Sequence, residues 1–258
     1  MILFQIINIR LSVEFVLPPH WNLFKVEGHF SDISINRLDR QKINSDISFS
    51  SFPSKEQMIV IDNSIMLLDH NYRNGSIYLV GGETSLEVFL SYLFYTHAVR
   101  RQMIQLHCAT IEDQGRGVLF LGPSGIGKTT QAERWAEFRG ASIINGDVGF
   151  VQRTEREYIA WGTPWHGSSP YCLNASVPVK ALVVLKQAQE NKLRELTGFE
   201  KVSEIAGSVF YPTWLEDGME LCTDTLNHLL TDLPVYRLDN RADRESVEIL
   251  AKELDRIT

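Results

Sequence analysis

The segment Gly122-Pro-Ser-Gly-Ile-Gly-Lys-Thr-Thr130 limits what this chain can fold into more than any other stretch. It fits the phosphate-loop pattern G-x-x-x-x-G-K-[ST]. The run Val118–Leu121 before it reads as a short buried strand, and Thr130–Arg139 after it reads as a helix. A strand that feeds a helix through a glycine loop specifies an α/β arrangement. Gly125 and Gly127 remove Cβ atoms where backbone must wrap closely around phosphate oxygens. The residues expected to form the cradle are Gly122, Ser124, Gly125, Ile126, Gly127, Lys128, Thr129 and Thr130. Their amides and the positive helix end face the anion. Lys128 adds a point charge for the outer phosphates, and Thr129 offers a hydroxyl to Mg²⁺.

The 258 residues suit one domain with an additional lobe. A formal charge of −7 leaves no basic excess to neutralise a nucleic-acid backbone, so nucleic acid is not an expected partner. Cys108, Cys172 and Cys222 are far apart and lack C-x-x-C spacing, which suits buried or partly buried thiols in a reducing cytoplasm. Met1–Ile9 is apolar but has no basic leading segment and is interrupted by Gln5 and Asn8. With Leu11–Val16 it reads as strand rather than signal peptide. No run is long enough to span a bilayer, so no membrane is expected.

Residues 1–101 read as a mixed α+β lobe. Met58–Ile61 and Ile65–Leu68 flank Asp62-Asn-Ser64 as a hairpin, and Ser76–Val80 is another strand. The polar stretch Asp39–Lys55 reads as loop. Thr84 and Glu87 form a capping-box pattern for a helix from about Ser85 to about Arg101. Residues 102–258 then carry Ile104–Ile111 as a strand, a turn at Asp113–Gly117, and the loop strand beside it. Strands follow at Ala141–Ile144, Gly149–Arg153, Glu157–Trp161, Val179–Leu185 and Val235–Leu238. Helices are expected near Val202–Tyr211, Leu221–Leu230 and Arg244–Ile257.

A phosphate loop fixes a nucleotide without choosing a reaction. Asp147, just past the strand that follows the loop helix, should open onto the same sheet end as Lys128. A carboxylate there can serve the metal shell or accept a hydroxyl proton, although Asn145-Gly-Asp147 is also an ordinary turn composition. His107 sits on the strand before the loop, where a lone histidine is usually structural. Gly162-Thr-Pro-Trp-His-Gly167 suggests a rigid loop presenting Trp165 and His166 to the acceptor or nucleotide, or equally a packed aromatic turn. The other histidines lack metal-ligand spacing, and no G-x-S-x-G elbow supports hydrolase chemistry.

Leu106-His-Cys-Ala-Thr110, the loop from Gly117 to Thr130, and Arg139–Asp147 resemble the core of HPr kinase/phosphorylase. The same core is similar to the nucleotide domain of phosphoenolpyruvate carboxykinase. The Gly162–Gly167 segment looks closer to HPr-kinase-like relatives, some associated with modification of peptide natural products or free serine. The resemblance runs from about residue 100 to the C-terminus. It implies a P-loop kinase core of that α/β type and a cytoplasmic kinase that uses ATP and Mg²⁺. The acceptor it implies is a hydroxyl, serine foremost, on a peptide, protein or small molecule. It makes Lys128 the phosphate lysine, Thr129 the metal-binding hydroxyl, His107 the active-site histidine and Asp147 the proton acceptor. HPr kinase relatives are often oligomers, so a homo-oligomer is compatible.

The chain departs from that pattern at two places. The first of two adjacent aspartates is Gly146, and Ser168 and Ser169 follow the Trp–His pair where a metal-assisting glutamate has no counterpart. Those departures keep a second reading open, a non-enzymatic nucleotide-binding or scaffold module of a biosynthetic system. Carboxykinase chemistry would need transition-metal ligands and an arginine-lined acid pocket, which the spacing does not locate.

Overall fold

The computed structural model describes residues 1–39 and 57–257, a mixed α/β architecture. It divides into two compact units, Met1–Ala98 and Val99–Thr258. The loop read between Asp39 and Lys55 lies outside the described residues after its first position. No helix among the described residues is long and apolar enough to cross a membrane.

In the first unit the strands are β1 (Ile2–Ile6), β2 (Ile9–Val13), β3 (Ile33–Arg37), β4 (Gln57–Ile61), β5 (Ser64–Leu68) and β6 (Asn74–Tyr78). They form one sheet in the order β1-β2-β3-β6-β5-β4. The single N-terminal run read from sequence is in fact a hairpin, because Ile7 turns the chain at φ +58° and pairs Ile6 with Ile9. The Asp62–Asn63 turn, with φ of +45° and +62°, has the backbone that joins twisted antiparallel strands. Helix α1 (Gly82–Val99) buries Leu86, Phe89, Leu90, Leu93 and Phe94. It starts before the expected capping box. Glu87 instead accepts a hydrogen bond from Trp21 Nε1 at 2.8 Å, and Ser85 donates to Asp62 at 3.0 Å.

The second unit is built around β7 (Met103–Asp113) and β8 (Arg116–Leu121), an antiparallel pair turned at Gln114–Gly115. Helix α2 (Lys128–Arg139) follows the glycine loop. Then come β9 (Ser142–Asn145), β10 (Val148–Arg153), β11 (Tyr158–Trp161), β12 (Ser176–Gln187) and β13 (Lys192–Glu195). Helix α3 (Phe199–Ile205), β14 (Val209–Phe210), α4 (Gly218–Asp232), β15 (Val235–Asn240) and α5 (Arg244–Leu254) complete it. The sheet path is β11-β10-β7-β8-β12-β15-β13, and the first residues of β12 also pair with β11. Strands β8, β12 and β15 are parallel, so the glycine loop leaves the carboxyl end of a parallel strand. In open α/β sheets ligands bind at that end.

Two elements differ from the sequence reading. Strand β13 has the charged composition Lys-Leu-Arg-Glu, which hides an edge strand from an apolar scan. The helix expected over Val202–Tyr211 ends at Ile205, passes through a 3-10 turn at Ala206–Ser208, and becomes β14. Strand β14 satisfies backbone groups of β7 that β8 does not reach, with Val209 opposite Leu106 and Phe210 opposite Gln105.

The core under the loop helix joins Ala109, Ile111, Val118, Phe120, Trp135 and Val183 to Val247, Leu250 and Leu254 of α5. At its rim Asp113, 1% exposed, accepts from Arg116 Nη2 at 2.9 Å and from Arg139 Nη2 and Nε at 2.9 and 3.1 Å. This ties the β7–β8 turn to the last residue of α2. Removing one member of a buried ion cluster leaves uncompensated charge, which costs about 3 kcal/mol. Asp113→Ala should therefore lower the thermal midpoint by about 6–12 °C. A calorimetric scan showing a fall below about 2 °C would contradict that role.

Candidate functional site

Two features of β7 create the site. On one of its edges, β9 and β10 behave as a single antiparallel partner: Glu112 opposes Ser142, Thr110 opposes Asn145, and His107 opposes Val148. Between them, Gly146 and Asp147 form a two-residue bend across from Ala109 and Cys108, matching in number the residues they face, and Cys108 N–H donates to Asp147 O at 3.0 Å. In a regular strand Asp147 would share the face of Cys108, and the bend re-aims it. Here it brings the Asp147 carboxylate to His107, Nε2 to Oδ1 at 2.9 Å, with the two side chains 30% and 24% exposed. An ionised carboxylate only accepts, so His107 Nε2 carries the proton in this bond and the tautomer is fixed. On the other edge, β8 delivers the loop at Leu121, opposite Cys108.

Asn145 holds the bend. Its Oδ1 accepts from the amides of Asp147 and Val148 at 3.0 and 2.9 Å. Its Nδ2 donates to the carbonyls of Thr163 and Trp165 at 3.3 and 2.9 Å. One buried amide thus joins the Asp147 turn to the 162–167 segment. Leu173 N–H to Ile144 O, at 2.9 Å, and Gly146 N–H to Tyr171 O, at 3.3 Å, seat the chain after that segment on the strand end. Gly167, at φ +56°, lies against the carboxylate: a Cβ there would sit 1.9 Å from Asp147 Oδ2.

The loop has the backbone its sequence requires. Gly122, Gly125 and Gly127 adopt φ of +136°, +78° and +107°, and the space beside Gly125 and Gly127 is open. No side chain caps α2, whose N-cap is Gly127. The first amides of the helix therefore remain available to an anion. Ser124 and Thr130 are exposed, and Ile126 is half-buried against the core. Lys128 is buried, and its Nζ donates to the carbonyls of Gly122 and Pro123 at 3.1 and 3.3 Å. Burial lowers the Lys128 pKa, while the charge of Asp147 and then the Cys108 thiol oppose the shift. Burial pushes the Cys108 thiol up to about 12, so it is a packed, inert group beneath the loop.

Thr129 Oγ1 donates to Gly146 O at 3.0 Å, which links the loop helix to the bend. A hydroxyl and a carboxylate are hard oxygen donors of the kind Mg²⁺ takes. Among the described residues no group of three or more His, Cys, Asp or Glu side chains could hold a metal. That donor set suits a cation bound by few protein ligands, with water and phosphate oxygens completing its shell.

The structure thus gathers Lys128, Thr129, His107 and Asp147 at one strand end. It places Trp165 differently from a presented ring: the side chain is 7% exposed and packs on Phe150, with centroids 6.2 Å apart. This corrects the reading in which both rings of the pair were displayed, because the turn uses Trp165 as its apolar anchor. His166 is half-buried and bonds through Nδ1 to Ser169 O. Sequence reasoning missed Asn145, Gly167, Ser169 and Phe210, whose roles arise from contacts distant in sequence. A cleft of about 720 Å³ lined by Arg153, Tyr158, Lys180 and Asp232 lies at the start of β12 and contains none of the site residues.

Gly146 has a steric explanation. A Cβ on it would lie 1.8 Å from Ser169 Oγ and 2.6 Å from Ser169 Cβ. The Ser169 side chain, buried over Gly146, fills the volume that any side chain at 146 would need.

A family model described as ScmC, SynChlorMet cassette protein ScmC, matches residues 84–236, more than half of the chain. The chain belongs to the ScmC family. The match contains the loop, His107, Asp147, the Trp–His turn and β14 of this ScmC-family chain. Among solved structures, the HPr(Ser) kinase/phosphatase from Coxiella burnetii is similar at 12% identity and a TM-score of 0.37. That likeness covers 58% of this chain and 94% of the other, and is too distant to carry an argument about chemistry. No curated protein matches.

The steric pairing predicts a rescue. Gly146→Ala should destabilise the protein by about 1–3 kcal/mol through overpacking. Adding Ser169→Gly should restore most of that loss, read as thermal midpoints of the two single variants and the double variant. Simple addition of the two penalties would show that the residues do not compete for space.

Proposed function

We propose that the protein is an ATP-dependent kinase that transfers the γ-phosphoryl group to a hydroxyl, serine foremost, of a peptide, protein or small molecule. The observation that carries this reading is the 2.9 Å contact between His107 Nε2 and Asp147 Oδ1 at the strand end that also holds Lys128 and Thr129. Binding of a nucleotide alone needs the loop, whereas an oriented carboxylate beside it is what transfer to a hydroxyl adds.

The loop amides and Lys128 hold the phosphate tail and stabilise charge on the outermost group as it moves. The acceptor oxygen attacks the γ-phosphorus, and the bond from that phosphorus to the β–γ bridging oxygen breaks. Asp147 takes the hydroxyl proton. ADP leaves with the electron pair of the broken bond, and the acceptor retains the phosphoryl group. His107 holds the Asp147 carboxylate in its acceptor orientation by donating to Oδ1. Thr129 and Asp147 are the residues that would hold Mg²⁺, which when bound neutralises phosphate charge. The partly exposed Asp147 side chain is open to an acceptor.

A second reading, a non-enzymatic nucleotide-binding module of a biosynthetic system, is favoured by Gly146, where no carboxylate stands, and by the cassette named in the family description. The two readings separate by experiment. Intact-mass analysis of candidate peptides and free serine, incubated with ATP and Mg²⁺, should show an added phosphate. Lys128→Ala should lower that transfer by about 10²–10³-fold and weaken nucleotide binding. Asp147→Asn should lower transfer by about 10²–10⁴-fold while nucleotide affinity stays within a few-fold. No added phosphate on any acceptor would favour the module. Loss of nucleotide binding in Asp147→Asn would make the residue a metal anchor instead of a base.

A further inference from the structure

Strand β14 brings an aromatic ring to the site that phosphate binding and proton transfer leave unused. β8 overlaps β9 along β7, β14 overlaps β10, and β8 and β10 flank β7, so β8 and β14 share the edge opposite β9 and β10. Along that shared edge Leu121 of β8 opposes Cys108, and Val209 of β14 opposes Leu106. His107 lies at the changeover, where β8 departs into the phosphate loop. Alternation puts Gln105 and His107 on one face of β7, and Phe210, opposite Gln105, shares that face. The rings of His107 and Phe210 are 6.3 Å apart by centroid and tilted by 53°.

Phe210 is 42% exposed, whereas Phe120 and Phe150 of neighbouring strands are fully buried. A single exposed aromatic residue is ordinary on a protein surface. The informative fact is where this one stands. Asp147 fixes the place to which an acceptor hydroxyl must come, and His107 bridges that carboxylate to the Phe210 ring. Whatever is covalently attached to the hydroxyl on that side meets an apolar face.

We infer that Phe210 forms the wall of the acceptor subsite, and that the acceptor carries an apolar side chain adjacent to its reacting hydroxyl. This rests on the reading of Asp147 as the group that receives the hydroxyl proton. An apolar neighbour loses water-exposed surface against the ring, while a charged neighbour would surrender hydration with no partner in return.

The test compares two short peptides of equal length, one with serine flanked by Phe and Leu and one with serine flanked by Asp. Calorimetry measures each against the full-length protein loaded with Mg²⁺ and a non-hydrolysable ATP analogue. The apolar-flanked peptide should bind about tenfold more tightly, a discrimination of the size hydrophobic subsites provide. Phe210→Ala should abolish the preference with nucleotide affinity unchanged, and Phe210→Leu should retain most of it. Equal affinities, absence of binding by both peptides, or a preference that survives Phe210→Ala would each overturn the inference. A parallel incubation with ATP keeps the two ideas apart. Preferential binding without phosphate transfer would remove the kinase reading and leave the wall. Transfer indifferent to the flanking residues would do the reverse.

Discussion

The bend at Gly146–Asp147 in the ladder along β7 is the constraint on which the candidate site depends. Strand β7 is paired on both edges, so its backbone register is fixed from Met103 to Asp113. The Asn145–Thr110 and Val148–His107 pairs keep one register across the bend, and a slip would turn every side chain of β9 or β10 to the wrong face. Within that fixed frame the bend leaves the pleat, and the Asp147 carboxylate meets His107 at 2.9 Å. Asn145 locks the bend with both ends of its side-chain amide. The carboxylate is thereby held by backbone geometry, which orders it before any ligand arrives.

The same strand pairs with both β8, which leads into the glycine loop, and β14, which carries Phe210. Strand β8 ends opposite Cys108 and releases the loop, and β14 resumes pairing at Leu106. The vacancy between them is one residue wide and is occupied by His107. Thr129 closes the circuit from the loop helix back to the bend through Gly146 O. Lys128 is held among loop carbonyls and depressed in pKa by burial, a penalty that the charge of Asp147 partly offsets. A phosphate anion brought against Lys128 offsets it further, so the loop is electrostatically suited to an anion.

Much of this was legible in the sequence where the requirement is local. The glycines of the loop announce positive φ, and three of them have it. Asp147 could be placed at the correct strand end from element order alone, since the helix and strand preceding it leave few routes. What the residue order hid is tertiary. Gly146 reads as a turn former, whereas its want of a side chain answers to Ser169, which stands 23 positions later in the chain. Phe210 lies in a stretch whose apolar spacing suits a helix, and the demand of the β7 edge for a partner overrides it. The 162–167 turn displays a Trp–His pair on paper, yet the sheet face under Phe150 claims the tryptophan. Strand β13 escapes notice because an edge strand is free to be charged.

The account stands or falls on where the last phosphate of a bound nucleotide points. A crystal structure of the protein with Mg²⁺ and a non-hydrolysable ATP analogue measures this directly. The account predicts that the β- and γ-phosphates lie over Gly125–Thr129 and that the γ-phosphorus faces Asp147 across a gap wide enough for one hydroxyl oxygen. A nucleotide bound with its γ-phosphate turned away from Asp147, or a carboxylate withdrawn from the loop side of the sheet, would contradict it.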